Sequence, residues 1–151
     1  MQLTQKESSF IKDLKGQERL CIDKYHRHAE AAHDPQLKQL FNRIAQVEEE
    51  HLNTLTQIEN GQTPSAGGSK PSTVPTYVAT YNTTNTPEKQ HDFYLCSDLL
   101  TTEKHASGLY DTAVFEFGQS ELRRVLNHIQ TEEQQHGEQI YQYMKANAMY
   151  S

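Results

Sequence analysis

The sequence predicts an all-α four-helix bundle made of two antiparallel hairpins joined by a long crossover. Three observations predict it. Apolar residues recur at spacings of three and four over four separate stretches. Two of the connections between those stretches are only a few residues long, and the third spans about 25. Finally, the first half of the chain repeats in the second at a constant offset of 85 residues.

The first helix runs from about Gln5 to His33, and Thr4 with Glu7 forms a capping box at its start. Asp34-Pro35 ends it and opens the second, with Asp as N-cap and Pro at the first helical position. That helix reaches about Glu59 and stops at Asn60-Gly61. Residues 62–86 contain no acid and one lysine, and four of the five prolines lie between Gly61 and Glu88, so this stretch is a linker. Thr86-Pro87-Glu88 opens the third helix, which runs to about Phe117 and stops at Gly118. The fourth runs from about Ser120 to Ala146. The chain thus reads as one domain, 1–151, divided into a hairpin (5–59), a crossover linker (60–86) and a second hairpin (87–147).

Loop length sets the topology. Short turns make antiparallel neighbours. A helix of about 25 residues is about 37 Å long, and a 25-residue linker can run that distance, which an up-down-up-down bundle would not need. The other reading is a flexible tether between hairpins that pair between chains.

Bulk composition narrows the function classes. Of the 151 residues, 34% are hydrophobic, low for a globular protein but sufficient where only one stripe per helix is apolar. The net charge of −6 offers no nucleic-acid surface. No stretch approaches the length of a membrane span, and Met1 to Phe10 lacks the apolar core of a secretory signal. Cys21 and Cys96 form no CxxC and fall on apolar stripes, so they read as small core residues, not as redox groups or zinc ligands.

The offset of 85 aligns Asp13 with Asp98, Leu14 with Leu99, Glu18 with Glu103 and Tyr25 with Tyr110. It continues through Leu37 and Leu122, Asn42 and Asn127, Ile44 and Ile129, Glu48 and Glu133, and His51 and His136, with no gap. The hairpins should therefore be related by an approximate two-fold axis. Each apolar stripe is interrupted at mid-length: by Glu18 in the first helix, Glu48-x-x-His51 in the second, Glu103 in the third and Glu133-x-x-His136 in the fourth. Glu18 lies 16 residues before Asp34 and Glu48 lies 14 after it; Glu103 and Glu133 lie 15 residues either side of Gly118. The members of each hairpin therefore sit at one height.

Four carboxylates and two imidazoles brought together in a core would cost several kcal/mol per ion if left uncompensated. Two divalent cations would neutralise the four glutamates. Mixed oxygen and imidazole ligands suit iron, manganese or zinc better than magnesium or calcium. One Glu from each of two helices and Glu-x-x-His from each of the others is a known di-metal carboxylate pattern in four-helix bundles. The predicted ligands are Glu18, Glu48, His51, Glu103, Glu133 and His136, and the predicted cofactor is two iron ions, with manganese or zinc as the alternative. A metal-free bundle with protonated glutamates is the competing reading. Tyr25 and Tyr110, seven residues beyond Glu18 and Glu103, are either donors to the glutamates, redox-active phenols, or plain core tyrosines. His28 and His105 have no repeat counterpart and read as non-ligands. His26, His33, His91 and His128 are expected to face solvent, as are Glu49, Glu50, Glu132 and Gln134.

The six residues resemble the ferritin and rubrerythrin superfamily. Within it, the second hairpin resembles the spore coat protein F family, through Leu99-Leu100-Thr101-Thr102-Glu103-Lys104-His105, Tyr110, Glu132-Glu133-Gln134-Gln135-His136 and Tyr141-Gln142-Tyr143-Met144. The resemblance implies a ferritin-like bundle with a dinuclear centre. It also implies that Glu48 and Glu133 bridge the ions, that Glu18 with His51 completes one position, and that Glu103 with His136 completes the other. It implies oxidation of ferrous iron, or reduction of oxygen or peroxide, and a place in the spore coat or the mother-cell cytoplasm. The implied partners are an external electron donor, because no rubredoxin-like cysteine module is present, together with other coat proteins or a second copy of the chain. The absence of a fifth helix after Lys145 argues against a storage cage. A structural coat protein whose metals only hold the bundle together is the competing function, with the linker tyrosines Tyr77 and Tyr81 as docking or cross-linking groups or as parts of a spacer. Manganese with catalase-like chemistry is a third.

Overall fold

A computed structural model describes residues 2–66 and 75–150; residues 67–74 of the expected linker lie outside the described residues. It contains α1 (Gln5–Ala31), α2 (Pro35–Glu59), α3 (Pro87–Val114) and α4 (Ser120–Ala146), with no strand among the described residues. The start signals act as their chemistry dictates. Thr4 and Glu7 form a reciprocal capping box, and the side chains of Asp34 and Thr86 cap α2 and α3 with proline next in line. Gly61 ends α2 at φ 87°, a conformation that favours glycine.

Two ends differ from expectation. Helix α1 stops at Ala31 rather than His33, because Ala32 is already extended. Pro35 disfavours helical geometry at Asp34, and Asp34 must be extended to cap α2. The buried Asp92 carboxylate accepts from His33 N at 2.9 Å and Asp34 N at 3.0 Å, which satisfies the freed turn backbone. Helix α3 stops at Val114 rather than Phe117. Glu116 N donates to Ala113 O at 2.8 Å, tightening the last turn and letting Phe117 fold into the core at 2% exposure. Arg123 closes this corner by donating to Phe117 O, and Gly118 N donates to Glu7.

The hairpins α1–α2 and α3–α4 pack against each other within the chain, α1 beside α3 and α2 beside α4. Both cross-hairpin pairs are antiparallel. Tyr25 meets Glu103 while Tyr110 meets Glu18, and His51 meets Glu132 while His136 meets Glu48. Helices α2 and α3 therefore run in the same direction, so the connection between them leaves from one end of the bundle and enters at the other. Its two described ends agree. Thr63 to Ala66 lie beside Glu121 and Arg124 at the start of α4. Val78 and Thr80 bond Gln36 at the start of α2, and Asn147 beyond α4 accepts from Thr80 N and Tyr81 N.

Both linker tyrosines hold the described end of the linker to the bundle. Tyr77 packs edge-on against Tyr143, with ring centroids 5.5 Å apart, and Tyr81 donates to Asp92 at 2.7 Å. The apolar core forms two layers. One contains Cys21, Tyr25, Phe41, Leu95, Ile140 and Tyr143; the other contains Ile11, Leu14, Leu55, Ile58, Phe117 and Leu126. Each fully buried Leu, Ile or Phe contributes about 1.5–3 kcal/mol. Between the layers, at mid-height, the core is polar. Among the described residues, no helix is long and apolar enough to cross a membrane.

Candidate metal centre

Each helix delivers its share of the centre by register. Glu18 on α1 and Glu103 on α3 sit where the apolar stripe would continue, and the i, i+3 spacing of Glu48–His51 and Glu133–His136 puts both side chains of each pair on one face. All six are buried, none more than 3% exposed. They divide into two quartets: Glu18, Glu48, His51 and Glu133, and Glu48, Glu103, Glu133 and His136. In each quartet the donor atoms all lie within 4.8 Å of one another. Glu48 and Glu133 belong to both.

The decisive test of fit is which atoms lack partners. Eight buried donor atoms of this cluster have no hydrogen bond: Glu18 Oε2, both oxygens of Glu48, His51 Nδ1, Glu103 Oε2, both oxygens of Glu133, and His136 Nδ1. Each Nδ1 lies near carboxylates at 2.9–3.8 Å, an ion-pair distance, but without hydrogen-bond direction. Unpartnered buried polar atoms are rare because each costs about 1–3 kcal/mol. Eight of them converge on one point, in two groups of four residues that share Glu48 and Glu133 and could each hold a metal ion. The residues fit a pair of divalent transition-metal ions.

The remaining oxygens of the two unshared glutamates are engaged. Tyr110 Oη donates to Glu18 Oε1 at 2.6 Å, and Tyr25 Oη donates to Glu103 Oε1 at 2.5 Å. Each tyrosine serves the glutamate of the opposite hairpin, not the one seven residues before it. These bonds fix which oxygen faces the centre. Cys21 and Cys96 are buried and unpaired. Burial pushes the Cys21 thiol up, and the nearby Glu48, Glu18 and Glu103 push it further, so it stays protonated.

Two residues depart from the sequence reading. Glu132 is half-buried instead of solvated; its Oε1 lies 2.9 Å from His51 Nε2 and 3.3 Å from His128 Nε2. His128 is likewise half-buried, because Glu132 sits one turn along its helix. Glu132 lies off its own stripe, but the α2–α4 crossing places it behind His51. Its i, i+4 pairing with His128 was the one signal in the sequence. The other histidines lie away from the centre: His28 bonds Asp98 at 2.7 Å, and His26, His33, His91 and His105 are exposed. Glu49, Glu50 and Gln134 are exposed as expected.

Without metal, protons must carry the compensating charge. Burial, with help from Glu48, raises the Glu18 carboxyl from 4.5 to about 8. Burial and Glu103 likewise push Glu133 well above the usual range. Glu48 goes the other way: burial raises it, but Glu18, His136 and His51 outweigh that and hold it well below 4.5. Burial pulls both imidazoles down, yet Glu132 and Glu133 around His51, and Glu103 and Glu133 around His136, raise them well above 6.5. The folded chain keeps a proton on Glu18 that the unfolded chain loses above 4.5, so this group makes stability fall as pH rises toward about 8. The histidine contribution is full below 6.5 and is also lost with rising pH. The metal-free chain should therefore melt at progressively lower temperature from about pH 5 to about pH 8. Calorimetry on chelator-treated protein checks this; a melting temperature that rises over that interval contradicts it.

Comparison with known families turns on the second hairpin. Residues 91–151 match the family described as Coat F domain. The matched segment takes in most of α3 and all of α4, and so contains Glu103, Glu133, His136, Tyr110 and Glu132. The first hairpin lies outside it and supplies Glu18, Glu48 and His51. None of the curated proteins and none of the solved structures matches the chain.

Proposed function

We propose that this protein is a di-metal carboxylate protein of the bacterial spore coat, with iron as its metal, acting on oxygen or peroxide or oxidising ferrous iron. The observation that carries the reading is the convergence of eight unpartnered donor atoms in two quartets. The Coat F domain supports the spore-coat setting.

In this reading Glu48 and Glu133 are the shared ligands. Glu18 and His51 complete one position, and Glu103 and His136 complete the other. A bound pair of redox-active ions supplies two one-electron changes, the number needed to reduce a peroxide. The protein supplies the rest. Tyr25 and Tyr110 hold the two unshared carboxylates in place. Apolar layers above and below keep bulk water from the cluster and strengthen its electrostatics. A groove between α3 and α4, about 420 Å³ in volume, reaches Glu103 and Glu133 and offers a small oxidant a way in. With both cysteines buried and protonated, electrons for repeated turnover come from an external donor.

Stopped-flow mixing of ferrous-loaded protein with hydrogen peroxide tests this. Ferric absorbance should develop at least about tenfold faster than with the Glu48→Ala, Glu133→Ala double variant, a difference of about 1.4 kcal/mol in barrier. Equal rates would remove the redox reading. The Coat F match favours one second reading, a structural coat protein whose ions only brace the bundle. It predicts the same metal-linked stability with no acceleration.

A further inference from the structure

The internal repeat makes the two metal positions near copies, and two departures from it set them apart. The first lies behind the histidines. His51 Nε2 lies 2.9 Å from Glu132 Oε1. The 85-residue offset and the antiparallel α2–α4 register put Val47 in the corresponding place behind His136. A carboxylate behind a liganding imidazole fixes the hydrogen on the outer nitrogen, orients the ring and raises its basicity. His51 has that support, and the repeat gives His136 an aliphatic side chain in its place.

The second departure concerns access. Gly137 and Ser107 occupy the repeat positions of Leu52 and Ile22. With Leu100 they line the groove of about 420 Å³ that reaches Glu103 and Glu133. A Cβ placed on Gly137 would come within 4 Å only of Leu100, at 3.6 Å, so the position stands open for lack of a side chain and not for tight packing. The groove therefore meets the centre at the ligands of the His136 position.

We propose that the two metal positions are inequivalent: the Glu18–His51 position holds its ion tightly, and the Glu103–His136 position is the exchangeable one, filled and emptied through the groove between α3 and α4. Glu132 is a positioning residue acting through His51. The inference rests on the di-metal reading and assigns each half of the chain a different duty within it. The tight position completes the shared carboxylates, and the loose one is where a ferrous ion from solution arrives and leaves.

The experiment titrates cobalt(II) into the metal-free full chain, in competition with a chromophoric chelator, and then follows release to excess chelator. Wild type should bind two equivalents in two steps, the second about 10–100-fold weaker. Glu132→Ala should weaken the first step toward the second, and Glu132→Gln, which keeps an acceptor for Nε2–H, should restore most of the loss. Val47→Glu should tighten the second step, a gain that a folding defect cannot produce. Gly137→Leu should slow release of the second equivalent and leave the total at two. Two equivalents bound and released alike in wild type, or variants at Glu132 and Val47 that shift neither step, would overturn the proposal while leaving the di-metal centre intact. No cobalt bound at all would overturn both.

Discussion

Two equivalents of ferrous iron, added without oxygen to the metal-free chain, should raise its melting temperature at pH 7 by about 15 °C or more. The size follows from linkage. A ligand present at about 1,000 times its dissociation constant stabilises the folded state by about 4 kcal/mol per site, and two sites give about 8 kcal/mol. In a chain of about 150 residues each kcal/mol moves the midpoint by about 2–4 °C. The sign follows from the site. Metal binding replaces the protons that the folded chain must otherwise hold on Glu18, Glu133, His51 and His136, and gives all eight unpartnered donor atoms a partner. Because those protons must leave, the rise should be larger at pH 8 than at pH 6. Scanning calorimetry in the two buffers measures it; a shift of only a degree or two at either pH contradicts it.

Glu48→Ala combined with Glu133→Ala should abolish that response altogether. These two carboxylates belong to both quartets, so their loss removes half the ligands of each position at once. Glu18→Ala should act differently, because Glu18 belongs to one quartet only. It should leave one ion bound per chain, at the weaker Glu103–His136 position, and retain less than half of the thermal shift. The contrast separates a shared-ligand centre from a diffuse acidic cluster, in which the loss would scale simply with the number of charges removed. Equilibrium dialysis against ferrous iron under anaerobic conditions reads both variants. Two ions retained by the double variant would break the assignment of Glu48 and Glu133 as the shared ligands.

Much of the fold was legible in the sequence because its signals were local and repeated. Thr4-x-x-Glu7, Asp34-Pro35 and Thr86-Pro87 each carry the chemistry of a helix start, and each caps a helix in the structure. The six polar residues stood out because each occupies a stripe position that otherwise takes Leu, Ile or Val, and all six are buried together. What escaped the sequence depends on how helices cross. Glu132 lies off the stripe of α4 and becomes half-buried only because α2 brings His51 alongside it. The same holds for Asp92, which gives no signal in its own helix but collects the backbone of the α1–α2 turn and the Tyr81 hydroxyl. The exchange of tyrosines, Tyr25 to Glu103 and Tyr110 to Glu18, needs the α1–α3 register, which no single stripe encodes. The α3 terminus was missed because Phe117 continues the stripe as a buried residue after the helix has already ended at Val114.

The presence of the metals themselves rests on one direct measurement: elemental analysis of the full chain purified without chelator and dialysed against metal-free buffer. About two transition-metal ions per chain, with iron foremost, is the predicted result. A chain that contains none, and takes up none when ferrous iron is supplied anaerobically, would contradict the di-metal centre and leave a metal-free bundle whose buried carboxylates are held by protons alone.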